Sequence, residues 1–173
     1  AGQLRKEGVD VANPAIIART GWTTAELQDA IKATLNQKTY NLVSLMIGVN
    51  NQYRGQRQDR YRTEFRELLQ TAVKFAAGKA NHVVVLSIPD WGASPYATGQ
   101  DKIRIAGEID RFNAIAQDEC QKAGIAFVNV TPLTRTAAGD ATQFANDGLH
   151  YSGKQMQQWA TTAFPVARES LKK

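Results

Sequence analysis

The sequence predicts an α/β fold, a parallel sheet covered by helices on both faces. Two observations carry this expectation. Apolar, β-branched runs alternate with segments of helical periodicity from end to end, and the centres of the runs are almost unbroken in their apolar character, as strands buried on both faces are. A third observation bears on function: the polar clusters ARTGW, GVNNQYRG, PDWGASPY and a long one ending in DGLH each follow a run. That is the edge of such a sheet at which ligands bind.

The elements follow in order. AGQLRKEG reads as the last turns of a helix closed by Gly8. Residues 9–17, VDVANPAII, are the first run, and Pro14 confines it to an edge strand or a strand end. In TTAE, Thr23 and Glu26 have the spacing of a capping box, after which Leu27, Ile31 and Leu35 continue at i, i+4, i+8. Residues 40–48, YNLVSLMIG, form the next strand, covered on both faces, and lead into a polar loop. The helix beyond carries Phe65, Leu68, Leu69, Ala72, Val73 and Ala76 on one stripe, with Arg60 and Glu64 as an exposed i, i+4 pair.

HVVVLSI, residues 82–88, is a third buried strand whose loop, PDWGASPYATG, is rich in turn residues. A long helix from Asp101 to Ala123 precedes the fourth strand, IAFVNV, residues 125–130. The stretch TPLTRTAAGDATQFANDGLH is longer than most connections and is therefore a candidate for function. Ser152 caps a last helix bearing Met156, Trp159, Ala160 and Ala163, with Pro165 kinking or ending its regular part.

At 173 residues, 43% of them hydrophobic and 21% charged, the chain has ordinary globular composition and reads as one domain, residues 1–173. No run reaches the ~18 to 20 apolar residues of a membrane span, and AGQLRKEG lacks the apolar core of an export signal, so compartment stays open. The net charge of +5 is spread among sixteen acids, which argues against a nucleic-acid partner. The single cysteine, Cys120, continues the helical series Ile105, Ile109, Phe112, Ala116 and reads as a buried structural thiol.

Asp147 and His150 stand three apart directly before the last helix. A carboxylate so placed can accept from Nδ1 and leave Nε2 to take a proton as general base; it serves equally as a helix-entry aspartate beside a surface histidine. Gly48-Val49-Asn50-Asn51 ends the strand of residues 40–48, where an amide could stabilise an oxyanion or simply build a turn. Gly21 offers a backbone N–H to the same cavity or is a loop glycine. Tyr53, Arg54 and Trp91 lie where a substrate pocket would be rimmed, and Arg54, Arg57, Arg60, Arg62 and Arg66 form either an anion-attracting patch or a solvated face balanced by Asp59, Glu64 and Glu67.

Together these residues resemble the SGNH (GDSL) hydrolase family over the whole chain. Its second block matches Gly21 in IARTGWTT, its third, G-x-N-D, matches Gly48 to Asn51, and its fifth, D-x-x-H, matches Asp147 to His150. IARTGWTT, IGVNNQYRG, SIPDWG and DGLHYSG look like the bacterial lysophospholipase or esterase-like branch. Asn51 stands where the family has aspartate. The first block, Gly-Asp-Ser with the nucleophile, has no match: Ser44 and Ser87 lie inside predicted strands, Ser152 caps the last helix, Ser170 is near the tail, and Ser94 in WGASPY lacks a strand-to-helix nucleophile turn.

The resemblance implies a three-layer, flavodoxin-like sheet of order 2-1-3-4-5, with its first strand absent from these residues and roughly 25 to 35 residues expected upstream of Ala1. It also implies ester hydrolysis through an acyl-enzyme, with Asp147 and His150 catalytic, Gly21 and Asn50 the oxyanion hole, and no metal or other cofactor. The implied substrate is a small-molecule, lipid or carbohydrate acyl ester. The alternative is an inactive binding module of the same fold. A nucleotide-binding domain would need a glycine-rich turn after the first strand, and none is present.

Overall fold

A computed structural model describes residues 1–172. Its elements are α1 (Gly2–Lys6), α2 (Thr24–Ala33), β1 (Val43–Leu45), α3 (Val49–Tyr53), α4 (Gln58–Phe75), β2 (Val83–Leu86), α5 (Lys102–Ala123), β3 (Ala126–Val128), α6 (Thr131–Arg135) and α7 (Gly153–Ser170). The three strands are parallel in the order β1-β2-β3, with Val43 opposite Val83 and Val84 opposite Ala126.

Strand alternation divides the core in two. Val83 and Val85 face Phe65, Leu69, Ile105, Ile109 and Cys120 of α4 and α5, while Val84 faces Trp159 of α7 together with Val128 and Val130. The result is helices, sheet, helices. The local signals account for the helix ends: Thr23 and Glu26 form the reciprocal box at the start of α2, Asp101 accepts the Arg104 N–H at 3.0 Å, and Gly124, with φ 66°, ends α5 in the left-handed region. Cys120 is fully buried, and burial pushes its thiol up to about 12, so it stays protonated packing.

Several expectations are corrected. Residues 9–17 do not form a strand. An extended segment becomes a strand only by pairing, and here the backbone bonds are local: Val9 N–H donates to the Leu4 carbonyl, and Arg5 Nε donates to the Val11 carbonyl at 2.8 Å. Between this segment and β1 lies a cavity of about 720 Å³, lined in part by Val9, Val11, Ile17, Leu42, Val43 and Leu45. The strand of residues 40–48 is accordingly not covered on both faces, because Ser44 and Met46 are exposed.

Leu35 lies beyond the end of α2 and is exposed. The polar loop after β1 begins as the short helix α3, and the long connection after β3 contains α6. Ser152 occupies the N-cap position of α7, yet its hydroxyl donates to the Thr142 carbonyl at 2.9 Å and caps nothing. Pro165 lies inside α7, which continues to Ser170. Met156 is exposed, and Gln155 takes the buried place, donating to the Leu133 carbonyl and accepting from Trp159 Nε1.

The arginines are paired. Arg57 meets Asp59, Arg60 meets Glu64, Arg62 meets Asp118 and Glu119, and Arg66 meets Glu119 at 2.7 Å. Glu119, on α5, is almost fully buried, and its bonds from Arg66 and then Arg62 hold its carboxyl down at about 2. Its stabilising contribution is therefore complete above the ordinary 4.5 and is lost as pH falls through about 2. Glu119→Gln is expected to cost about 2 kcal/mol at pH 7, the half-exposed arginines being partly screened. Thermal melts from pH 7 to 2.5 check this: the variant should lose stability toward acid less steeply than the parent, and parallel curves would refute it.

Candidate active site

GVNNQYRG follows β1, PDWGASPY follows β2 and DGLH lies beyond α6 after β3, while ARTGW follows the unpaired residues 9–17; each is fixed by identifiable bonds. After β1, Gly48 turns the chain at φ 126°, where an added Cβ would lie 2.7 Å from the Tyr61 hydroxyl. That turn starts α3 and places Asn50 so that its Nδ2 donates to the Trp22 carbonyl at 3.0 Å. Gly21, at φ 87°, is thereby brought beside Asn50; among the described residues its N–H donates to no protein acceptor.

Asn51 points the other way and is fully buried. It accepts the Thr24 N–H at 3.1 Å and donates to Thr24 Oγ1 at 2.6 Å and to Gln56, fastening α3 to α2. An amide suits this place because it both donates and accepts, which a carboxylate cannot.

Arg54 donates to the Gly21 carbonyl at 2.6 Å and to Glu26 at 3.2 Å, so it braces the Gly21 turn. Trp91 is largely buried and gives its indole N–H to Gln52 Oε1 at 2.7 Å. Tyr53 is half exposed; its ring stands edge-on to Trp91 with centroids 5.2 Å apart, and its hydroxyl shares a hydrogen bond of 3.0 Å with that of Tyr96. Tyr53 and Trp91 line, with Gln52, Gln100, Arg104 and Glu108, a polar cavity of about 420 Å³, and Arg54 lies outside it.

In the turn before α7, Asp147 Oδ2 is 2.6 Å from His150 Nδ1, while Asp147 Oδ1 accepts the backbone N–H groups of Leu149 at 3.0 Å and His150 at 2.9 Å. Those bonds, the Leu149 N–H foremost, hold the Asp147 carboxyl down at about 2. The aspartate is thus an anion at any working pH, fixing the imidazole with Nε2 free; both side chains are half exposed. The turn reaches the other loops through Tyr96, whose N–H donates to the Gly148 carbonyl at 3.0 Å. The structure therefore links the elements bearing Asn50, Tyr96 and His150 through Tyr53.

Of the serines, Ser94 is buried and donates its hydroxyl to the Trp91 carbonyl at 2.6 Å; Ser87, also buried, accepts from the Val130 and Thr131 N–H groups. Neither is disposed as a nucleophile. Among the described residues no group of three or more His, Cys, Asp or Glu side chains could hold a metal ion, and no helix is long and apolar enough to cross a membrane.

The family model of the GDSL-like lipase/acylhydrolase family matches residues 1–158. The chain belongs to that family. No curated protein sequence gives a significant match. Solved structures do. TesA superposes with a TM-score of 0.70 at 21% identity, over 98% of this chain and 85% of its own. The esterase EstA from Pseudoalteromonas sp., inhibited by monoethylphosphonate, gives 0.69 at 18% identity over 99% and 85%. The acetylxylan esterase Axe2 from Geobacillus stearothermophilus gives 0.66 at 16% over 85% and 68%. This GDSL-family chain therefore has the parallel α/β/α architecture expected from its sequence, with three paired strands where four runs were expected.

Sequence reasoning passed over several residues that shape this GDSL-family site. Tyr61 holds the Gly48 turn, donating to the Ile47 carbonyl at 3.3 Å. Tyr151, Asp90 and Arg135 connect the His150 turn to the loop after β2. The one local signal was Tyr151 itself, a large aromatic between His150 and a helix cap in an otherwise polar stretch.

Proposed function

We propose that the protein is a serine ester hydrolase working through an acyl-enzyme. The observation that carries this is the Asp147–His150 pair, closed at 2.6 Å with Nε2 open, on the sheet edge that also bears Asn50 and Gly21. A serine Oγ attacks the acyl carbonyl carbon while its proton passes to His150 Nε2; the tetrahedral intermediate collapses and the alcohol leaves with that proton. Water then repeats the sequence and releases the acid. Asp147 stabilises the imidazolium, and Asn50 Nδ2 with the Gly21 N–H stabilises the oxyanion once the amide exchanges the Trp22 carbonyl for it.

The nucleophile, in this proposal, comes from a segment upstream of Ala1. The cavity between residues 9–17 and β1 supports it: among the described residues β1 pairs with β2 alone, and a strand laid along its other edge would end beside Gly21 and Asn50. Its substrates are small acyl esters, the acylated carbohydrates and lipids included. The carbohydrate option draws on Axe2, and the polar lining of the cavity beside Tyr53 and Trp91 agrees with it. Family membership and the esterases among its structural neighbours weigh against an inactive binding module.

The test is hydrolysis of p-nitrophenyl acetate by the full-length protein, with mass spectrometry after treatment with a phosphonate of the kind that inhibits EstA. One adduct on a serine preceding Ala1 is expected, and Asn50→Ala should lower kcat about 10²- to 10³-fold with little change in KM. An adduct on Ser94, or undiminished turnover in Asn50→Ala, would overturn the assignment.

A further inference from the structure

The Asp147–His150 pair is bound tightly within itself and loosely to everything else. Its bonds span at most three residues, and both side chains are half exposed, so no packing fixes the imidazole from above. Where the ring stands over the sheet is decided by the backbone at residue 150.

That backbone is part of a closed turn. Phe144 and Tyr151 form an antiparallel bridge, the Ala145 N–H donates to the His150 carbonyl at 2.7 Å, and the Ser152 N–H donates to the Gln143 carbonyl at 2.8 Å. Two attachments hold this turn: the Tyr96 N–H donates to the Gly148 carbonyl at 3.0 Å at its tip, and Tyr151 anchors its base. This ring is buried between Phe144, with centroids 5.0 Å apart, and Trp159 of α7, at 5.1 Å. Its hydroxyl donates to the Asp90 carbonyl at 2.7 Å. Burial raises the phenol to about 12, which keeps it a donor.

The acceptor is itself held on three sides. The Asp90 N–H donates to Thr134 Oγ1 at 3.0 Å, and its carboxylate accepts the Gly92 N–H at 2.9 Å and Arg135 Nε at 2.8 Å. Arg135 continues to Asp110 at 2.7 Å and the Ala106 carbonyl at 3.2 Å, tying the anchor to α5. The Cα atoms of residues 150 and 151 are neighbours about 3.8 Å apart, so a displacement of Tyr151 passes directly to His150.

We infer that Tyr151 is a positioning residue for His150: its buried hydroxyl, held by the Asp90 carbonyl, sets where the imidazole stands relative to the oxyanion donors. The inference rests on His150 being the general base. Proton transfer depends steeply on placement, whereas ground-state binding of an ester does not use the imidazole; loss of the anchor should therefore appear in kcat and spare KM.

The test is Tyr151→Phe in the full-length protein, which keeps the ring and removes one O–H. Expected are a fall in kcat of about tenfold or more, KM within about twofold, and a broadened or lost His150 Nδ1–H resonance in proton NMR. Asp90→Asn provides a second route: it keeps the backbone acceptor and the bond to Gly92, weakens the Arg135 pair, and should give a smaller loss confined to kcat. Unchanged kcat and an unchanged imidazole resonance in folded Tyr151→Phe, with His150→Ala inactive, would sink the inference while leaving the hydrolase reading in place. An active His150→Ala would sink the reading itself.

Discussion

Replacing His150 with alanine in the full-length protein should lower kcat on p-nitrophenyl acetate by about 10³- to 10⁴-fold and leave KM nearly unchanged. The side chain is half exposed, and its ring bonds to Asp147 alone among the described residues, so the melting temperature should hold. A folded variant that turns over normally would remove the general base from the proposal. Asp147 carries a corollary. Its carboxyl is held at about 2, so a loss of activity anywhere above pH 4 does not report its protonation.

The second large effect is on stability. Gly48→Ala places a Cβ 2.7 Å from the Tyr61 hydroxyl and 2.8 Å from its Cε2, at a backbone φ of 126° that side chains rarely adopt. Tyr61 cannot retreat, because it is buried against Phe112 and Phe65 with ring centroids 4.6 and 5.4 Å away. Strain and overpacking together should cost about 3 to 5 kcal/mol, read as a drop in Tm of roughly 10 °C. Tyr61→Leu in the same chain should recover part of the loss. A Tm within a degree or two of the parent would show that the turn can relax.

These cases mark where the sequence was legible. The capping box of Thr23 and Glu26 and the uninterrupted VVV of β2 are written within a few residues, and they stand in the structure as read; the contact of Asp147 with His150 Nδ1 is equally local. What could not be read depends on distant partners. Asn51 owes its burial to Thr24, 27 residues away, and the Tyr151 hydroxyl finds its acceptor 61 residues back.

Residues 9–17 fail for the same reason in reverse. Their composition suits a strand, but strand formation is a property of a pair, and among the described residues no second segment is paired with them. Trp91, read as a pocket rim from its loop after the third run, does line the cavity beside Tyr53; what the sequence did not show is how it is held. Its indole nitrogen donates to Gln52 on α3, and most of the ring is buried.

Among the described residues β1 pairs on one side, with β2, and its other side looks across a partly apolar cavity. A row of free peptide groups flanked by greasy side chains is adhesive toward any extended chain, a second copy of this one included. In these 172 described residues the side chains proposed for chemistry and the hazard of clumping lie on neighbouring parts of one sheet. A strand paired along that edge would remove the hazard and, in the proposed mechanism, carry the serine.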